Sequence, residues 1–547
     1  MGSEGKQSVR QRWGGRCGNR RSRTGSRIGS LFGAVVSCSV AIGAGQGLAQ
    51  GTVAQTTAAQ QSAKPDTKDA SQQGGAQVHT GVSSGLDAEA RLQNLLADHQ
   101  FLRIEAQLDQ MAPDEAAFYR GILANRKNDL KTSVHLLEPL AEKIATTGAP
   151  GQEKLLRRAL AEDYLRLGEW AKAALAYRAL ETHVGSQLTA DEQDELELPV
   201  KLLPLAAANP PMTVDPYDPF GLPVNRNLLG LVDIPVFVDA RPHSWMLEPT
   251  APFNLISRSL AREAGLTVSD AAVTIHTVTG RPMQVHMTVI PRFTIGGAIT
   301  FHDMTAFVFE DADYAFKETH YQVEGVLGYP AVSAFGSLSI KDNATIEVRP
   351  MTTGSKDEGD FRSDPGARLF FDGDQMIVAM KNAPGAEGGA TGGGAASGAA
   401  DGGTPSGGTA GVGAADGGAG AQAAKPGEVS GTGEERMFVL DARGQQTYLT
   451  SRYYEEHSGD FAKLKMEMFS LPGAPKMPAQ PSYNAETVNL AFGPTVVSVH
   501  YIPVLTQPVG DAALDDVYGV LGLDALDQLQ SYTFDFKAMT LSVRNRE

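Results

Sequence analysis

Two blocks of sequence recur in the same order at nearly the same separation, and this repetition limits the fold more than any other feature. Trp245-Met246-Leu247-Glu248-Pro249-Thr250-Ala251, then Asn254-Leu255-Ile256-Ser257, aligns without a gap on Phe438-Val439-Leu440-Asp441-Ala442-Arg443-Gly444, then Thr447-Tyr448-Leu449-Thr450. Gly325-Val326-Leu327-Gly328 corresponds in the same way to Gly519-Val520-Leu521-Gly522. The second block opens 77 residues after Glu248 in one copy and 78 after Asp441 in the other. Two blocks in register are far harder to reach by chance than one. The chain therefore carries two similar units, each ending in an apolar stretch, 344–348 and 539–543.

The texture around these blocks is that of strands. Residues 232–238, 245–247, 273–278, 285–289 and 304–309 are short, β-branched or aromatic, and separated by Gly, Pro or polar turns. Thr279-Gly280 is expected to close a hairpin, and 257–264 to form one short helix. In the second copy the strand matching 232–238 is 376–380, and 436–440 matches the strand that ends in Glu248. Between them, 383–433 is almost entirely Gly, Ala, Ser and Thr. Such a stretch cannot bury enough apolar surface to order itself, so it is expected to be a flexible insertion at a hairpin tip. Closure entropy grows only logarithmically with loop length, which makes an insertion of this size tolerable.

An apolar strand ending in Asp-Thr-Gly-Ala, an apolar turn into a helix, and a later apolar-apolar-Gly block form the pattern of retropepsin-like aspartic proteases. The stretches beginning at Phe438 and Trp245 resemble the first motif, and Gly325, Leu327 and Gly328 with Gly519, Leu521 and Gly522 resemble the second. The resemblance covers 222–350 and 367–547. It implies two β-lobes paired as a bilobal pepsin-like unit, with a peptide or protein ligand in the interlobe cleft. It also implies catalysis by two carboxylates that share a proton and activate a water, here Glu248 and Asp441.

This sequence departs from that pattern at the residues that matter. The family's Thr is replaced by Pro249 and Ala442, neither of which has a hydroxyl to tie the loops together. Its Gly is replaced by Thr250 and Arg443, followed by Ala251 and Gly444. Glu for Asp lengthens one carboxylate by a bond, and a displacement near 1 Å at a reacting centre costs on the order of a hundredfold. Arg443 is placed to pair with either acid and hold both ionised. The expectation is a degenerate site, a pseudoprotease that binds or scaffolds peptides. The alternatives are an active aspartic endopeptidase working through Glu248 and Asp441, and a helical-repeat adaptor in envelope assembly.

Upstream, helical periodicity runs through 86–96, 116–140 and 155–180 and is broken near 148–151. Ala161, Tyr164, Gly168, Ala173 and Tyr177 fall at spacings that resemble a tetratricopeptide hairpin, with Tyr119, Asn128 and Leu137 at similar offsets before them. A short α-helical domain over 85–203, with a surface for a protein partner, is expected, ended by the proline-rich 204–223. The fold class is thus multidomain, α followed by all-β.

The first 49 residues read as a signal peptide: eight bases against one acid, then an apolar run to Ala44 and small residues before Gln50. Residues 50–84, poor in large apolar side chains, read as a tether. The protein is expected to be exported, to the periplasm or beyond, and membrane-anchored only if Val35-Val36-Ser37-Cys38 is lipidated. Losing eight bases and one acid takes the net charge from −16 to −23, which argues against nucleic-acid partners. Both cysteines, Cys17 and Cys38, leave with the signal, so neither a thiol nucleophile nor a thiolate metal site is expected. The eleven histidines have no metal-ligand spacing, and no cofactor is implied. His276, His286, His243-Ser244 and His457-Ser458 read as surface or loop residues, and Gly280, Gly296 and Gly297 as turns.

Overall fold

The computed structural model describes residues 82–108, 111, 113–147, 150–228, 230–276, 282–316, 321–351, 366–373, 375–382, 435–441, 446–471, 478–509 and 512–546. The signal, most of the tether, the Gly/Ala insertion and the 279–280 turn lie outside them.

The helical part runs from Val82 to Ala206. The expected run 116–140 divides into Pro113–Arg126 and Leu130–Leu137, and 155–180 into Pro150–Arg166 and Trp170–Val184. The division follows from turn chemistry. Asn128 and Gly168 sit at φ +60° and +71°, the left-handed conformation that Asn and Gly adopt most readily. Around each the chain makes the same backbone bonds, with Asp129 N donating to Ala124 O and Glu169 N to Tyr164 O, both at 2.9 Å. The same turn recurs at His99, φ +53°, where Gln100 N donates to Leu95 O at 2.8 Å. The sequence periodicity placed none of these three turns. The last helix, Ala190–Ala206, runs through Pro199 and Pro204 and ends inside the proline-rich segment 204–223.

The first closed sheet uses Ile299–Phe309, Leu255–Ser257, Gly325–Leu327, Arg241–Leu247, Val232–Val238 and Pro282–Ile295 in that order, and Pro282–Ile295 returns to pair with Ile299–Phe309. The second uses Thr495–Leu505, Tyr448–Leu449, Gly519–Leu521, Glu435–Leu440, Gln375–Asn382 and Gln480–Phe492, and closes through Gln480–Phe492 on Thr495–Leu505. The two orders take their strands from the chain in the same succession. Closure removes free edges, and alternate residues point into each core. Trp245, 0% exposed, packs on Phe293 with ring centroids 4.7 Å apart.

Between the two closed sheets lies a ladder of six strands, three from each half: Phe220–Pro223, Thr345–Pro350 and Phe335–Lys341, then Ser531–Asp535, Thr540–Arg544 and Ala367–Asp372. At its centre Leu338 faces Phe534 and Ser339 faces Thr533, with the two hydroxyls 2.8 Å apart. The closing hairpin of the first unit therefore shares a continuous sheet with the second unit. Burial drives this: Leu338, Ile346, Val348, Phe534 and Leu541 are all at most 2% exposed. Burying each such side chain is worth about 1.5–3 kcal/mol relative to exposing it.

The helical part packs on the ladder strand Ala367–Asp372 and shares a core with Ile377, Ala379, Met437 and Val439 of the second closed sheet. Phe101 meets Phe370 at 5.1 Å between ring centroids, and Arg126 reaches Asp372 at 2.9 Å while His99 Nδ1 lies 2.8 Å from the other carboxylate oxygen. It also reaches the first unit, where Asn128 Nδ2 donates to Tyr329 Oη at 2.7 Å.

Candidate active loops

Glu248 and Asp441 end equivalent strands, and each strand end is pinned by the apolar-Gly block of its own unit. Arg241–Leu247 runs parallel to Gly325–Leu327, with Leu247 opposite Leu327; Glu435–Leu440 runs parallel to Gly519–Leu521, with Leu440 opposite Leu521. Glu248 N donates to Leu327 O and Asp441 N to Leu521 O, both at 3.0 Å. After each loop the chain returns to the other side of the same block: Ser257 N donates to Glu324 O and Thr450 N to Tyr518 O, at 2.9 and 3.0 Å. Leu327 and Leu521 thus hold the backbone of the two acids, Gly328 and Gly522 follow directly, and Gly325 and Gly519 stand further back along the same short strands.

Two functional positions went unassigned in the sequence. Asn254 Oδ1 accepts from Gly328 N at 3.0 Å, and Thr447 Oγ1 accepts from Gly522 N at 2.9 Å. The two lie at the same offset from their acids. Each is at most 2% exposed and closes its loop onto the apolar-Gly block. Thr447 is braced further, since its N–H donates to Asp524 Oδ1 at 2.8 Å and its hydroxyl donates to the same oxygen. Burial pushes the Asp524 carboxyl up, and these donors partly oppose it. Asn and Thr share no obvious side-chain pattern, but both accept a hydrogen bond at short reach, and the gapless alignment was the one signal that could have found them.

The glycines are demanded by close approach. A Cβ on Gly328 would lie 2.3 Å from Phe253 O, one on Gly325 2.3 Å from the Trp245 ring, and one on Gly519 2.8 Å from Tyr448 O. None of these neighbours is the free end of a flexible chain.

Glu248 is 1% exposed. Its Oε1 accepts from the hydroxyl of Thr250 and, at 3.4 Å, from Thr250 N. The residue that replaces the family's Gly therefore turns this carboxylate back into its own loop, an arrangement like an Asx turn. Pro249 and Ala251 are buried, Pro249 facing Leu523 and Leu526 of the second unit across a small void. Asp441 is half-buried. Ala442, Arg443 and Gly444 lie outside the described residues, and with them the expected pairing of Arg443 with the acids. Among the described residues no group of His, Cys, Asp and Glu is placed to hold a metal ion. His276 and His286 lie on opposite strands of one hairpin, where His286 Nδ1 is 2.8 Å from Ser269 O.

Residues 234–331 match a family model described as aspartyl protease. That stretch holds Glu248, Asn254 and the block Gly325–Gly328, and it is similar to the aspartyl protease family. Among solved structures, a retropepsin-like aspartic protease from Rickettsia conorii is 18% identical over 23% of this chain and 98% of its own, with a TM-score of 0.19. Basic 7S globulin from soybean is 10% identical over 60% of this chain and 97% of its own, with a TM-score of 0.34. No curated protein matches the chain.

Proposed function

We propose that 222–350 and 367–547 are two degenerate copies of an aspartic-protease lobe, paired as in a pepsin-like unit, that bind or scaffold a peptide without hydrolysing it. The observation that carries this is Glu248. An acid that activates water must present its oxygen to water and lie at reacting distance. Glu248 is buried and has its Oε1 occupied by Thr250 on both N–H and hydroxyl. Loss of the loop hydroxyls at Pro249 and Ala442 supports the same reading.

The alternative, an aspartic endopeptidase, draws on Asp441, which is half-buried at the equivalent strand end and keeps contact with solvent. In either case the interlobe region takes a peptide or protein, no cofactor is needed, and the helical part, with its three repeated turns, is a tetratricopeptide-like surface for a protein partner. We read the chain as exported, with the lipidated form as the variant that would sit on a membrane.

The deciding experiment is incubation of unstructured peptides with the purified chain between pH 3 and 7, with Asp441→Ala and a pepstatin-type inhibitor as controls. Equal silence of the folded wild type and Asp441→Ala supports the pseudoprotease. Cleavage that disappears in Asp441→Ala and with the inhibitor overturns it.

A further inference from the structure

The short strand Glu467–Phe469 lies outside the closed ring of the second unit. It pairs with Gln480–Phe492, and the described residues place no strand on its other side. Pro481 O accepts from Thr506 N at 3.0 Å, so the backbone of Pro481 faces away from Glu467–Phe469. In an antiparallel pair the residue opposite, Met468, then directs its own N–H and C=O to the open side, and so does Met466 two residues back. Both side chains are exposed, Met466 at 49% and Met468 at 65%. An open edge with exposed apolar side chains is a template for pairing with another chain.

The fold does not require methionine there. Ile256 and Leu449, which align in the repeat, pair with Val308 and Val504, and counting along the ladders from these sets Thr274 of the first unit where the second has Met468. The Thr274 hydroxyl accepts from Gln284, a polar pair at the place where the second unit has Met468 and Pro481.

The sequence of the edge says what fits it. Leu464-Lys465-Met466-Glu467-Met468 alternates apolar and charged residues and is its own complement when run antiparallel about Met466. A second copy related by a two-fold axis sets Met466 against Met466, Met468 against Leu464, and Lys465 of each copy against Glu467 of the other. The backbone agrees, because Met466 and Met468 are the residues whose polar groups point outward, and this register pairs Met466 with itself. Lys465 and Glu467 are exposed, and Asn484 Nδ2 donates to Glu467 Oε2 at 2.8 Å, which leaves Oε1 for a lysine.

We propose that two copies of this chain associate through this edge, with 464–468 of one copy antiparallel to 464–468 of the other. The contact uses the same patch on both copies, so it closes at a dimer. It stands whether or not the lobes hydrolyse anything.

The test is sedimentation equilibrium of the purified full chain over a range of concentrations, beside Lys465→Glu, Glu467→Lys and an equimolar mixture of the two variants. The wild type should dimerise. Each variant alone sets like charges opposite one another twice and should associate about tenfold more weakly. In the mixture a chain with two acids at the edge meets one with two lysines, and association should return to the wild-type strength. Both changes fall at exposed positions, so far-ultraviolet circular dichroism should stay that of the wild type. A chain that remains monomeric at every concentration, its edge left to another partner or to solvent, overturns the proposal. So does a dimer indifferent to both changes, or a mixture that associates no more tightly than its components.

Discussion

Asn254→Ala removes one side chain and orphans two groups on different strands. Asn254 Oδ1 is the acceptor for Gly328 N at 3.0 Å, and its Nδ2 donates to Thr305 O at 3.2 Å. The residue is 2% exposed, so water does not replace either bond without opening the loop. Leaving a buried polar group unsatisfied costs about 1–3 kcal/mol, and two such groups place the loss at about 2–6 kcal/mol. Thr447→Val is the matched change in the second unit. It keeps the shape, leaves Gly522 N without an acceptor, and takes one donor from the buried Asp524, for about 2–4 kcal/mol. Native-state amide exchange reads both locally. Gly328 should lose protection in Asn254→Ala with Gly522 unaffected, and Gly522 should lose it in Thr447→Val with Gly328 unaffected. Unchanged exchange of the paired glycine in either variant would refute the role given to these side chains.

Gly325→Ala and Gly328→Ala should each destabilise the first unit by about 1–3 kcal/mol or more, read from urea unfolding, because the new Cβ meets the buried Trp245 ring or the Phe253 carbonyl at 2.3 Å. Asp163, wholly buried and bound by Ser133 Oγ and Asn125 Nδ2, has its carboxyl pushed up to about 6 by burial, against the pull of those donors and Arg166. With the folded value above the unfolded one, its stabilising contribution is full below about pH 4 and lost as pH rises through about 6. Asp163→Asn should therefore flatten the stability change between pH 4 and 7 by about 3 kcal/mol, the equivalent of the two-unit shift. Asp372 runs the other way. Burial raises its carboxyl, but Arg126 and His99 outweigh that and hold it well below the usual carboxylate range, so its contribution is present above about pH 4 and fails on further acidification. Arg126→Met should make the joint between helices and lobes susceptible to limited proteolysis at neutral pH, and strong acid should do the same in the wild type.

The two strand ends were legible because strand pairing conserves register: Glu248 N on Leu327 O and Asp441 N on Leu521 O stand at matching places in the gapless alignment. The helix breaks at Asn128 and Gly168 were not read from the periodicity, which ran unbroken through 116–140 and 155–180, although both residue types tolerate left-handed backbone. What else was not legible depends on long-range contact. The hairpin of Phe335–Lys341 and Thr345–Pro350 has the alternation of any β-hairpin, and nothing local says that its partner is Ser531–Asp535. Thr250 read as a lost glycine, whereas in the folded chain its hydroxyl caps Glu248. The docking of the helices is written in single residues on separate elements, Phe101, Arg126 and Asn128 on one side and Phe370, Asp372 and Tyr329 on the other, at no fixed spacing.

If Glu248 serves its own loop, it is not offered to solvent as a reacting acid. Carboxylate-esterifying epoxides, applied to the native chain at pH 4–6 and mapped by peptide mass spectrometry, test it directly. Glu248 should stay unmodified while exposed acids such as Glu263 react slowly. Rapid, selective esterification at Glu248, suppressed by a pepstatin-type inhibitor, would contradict it.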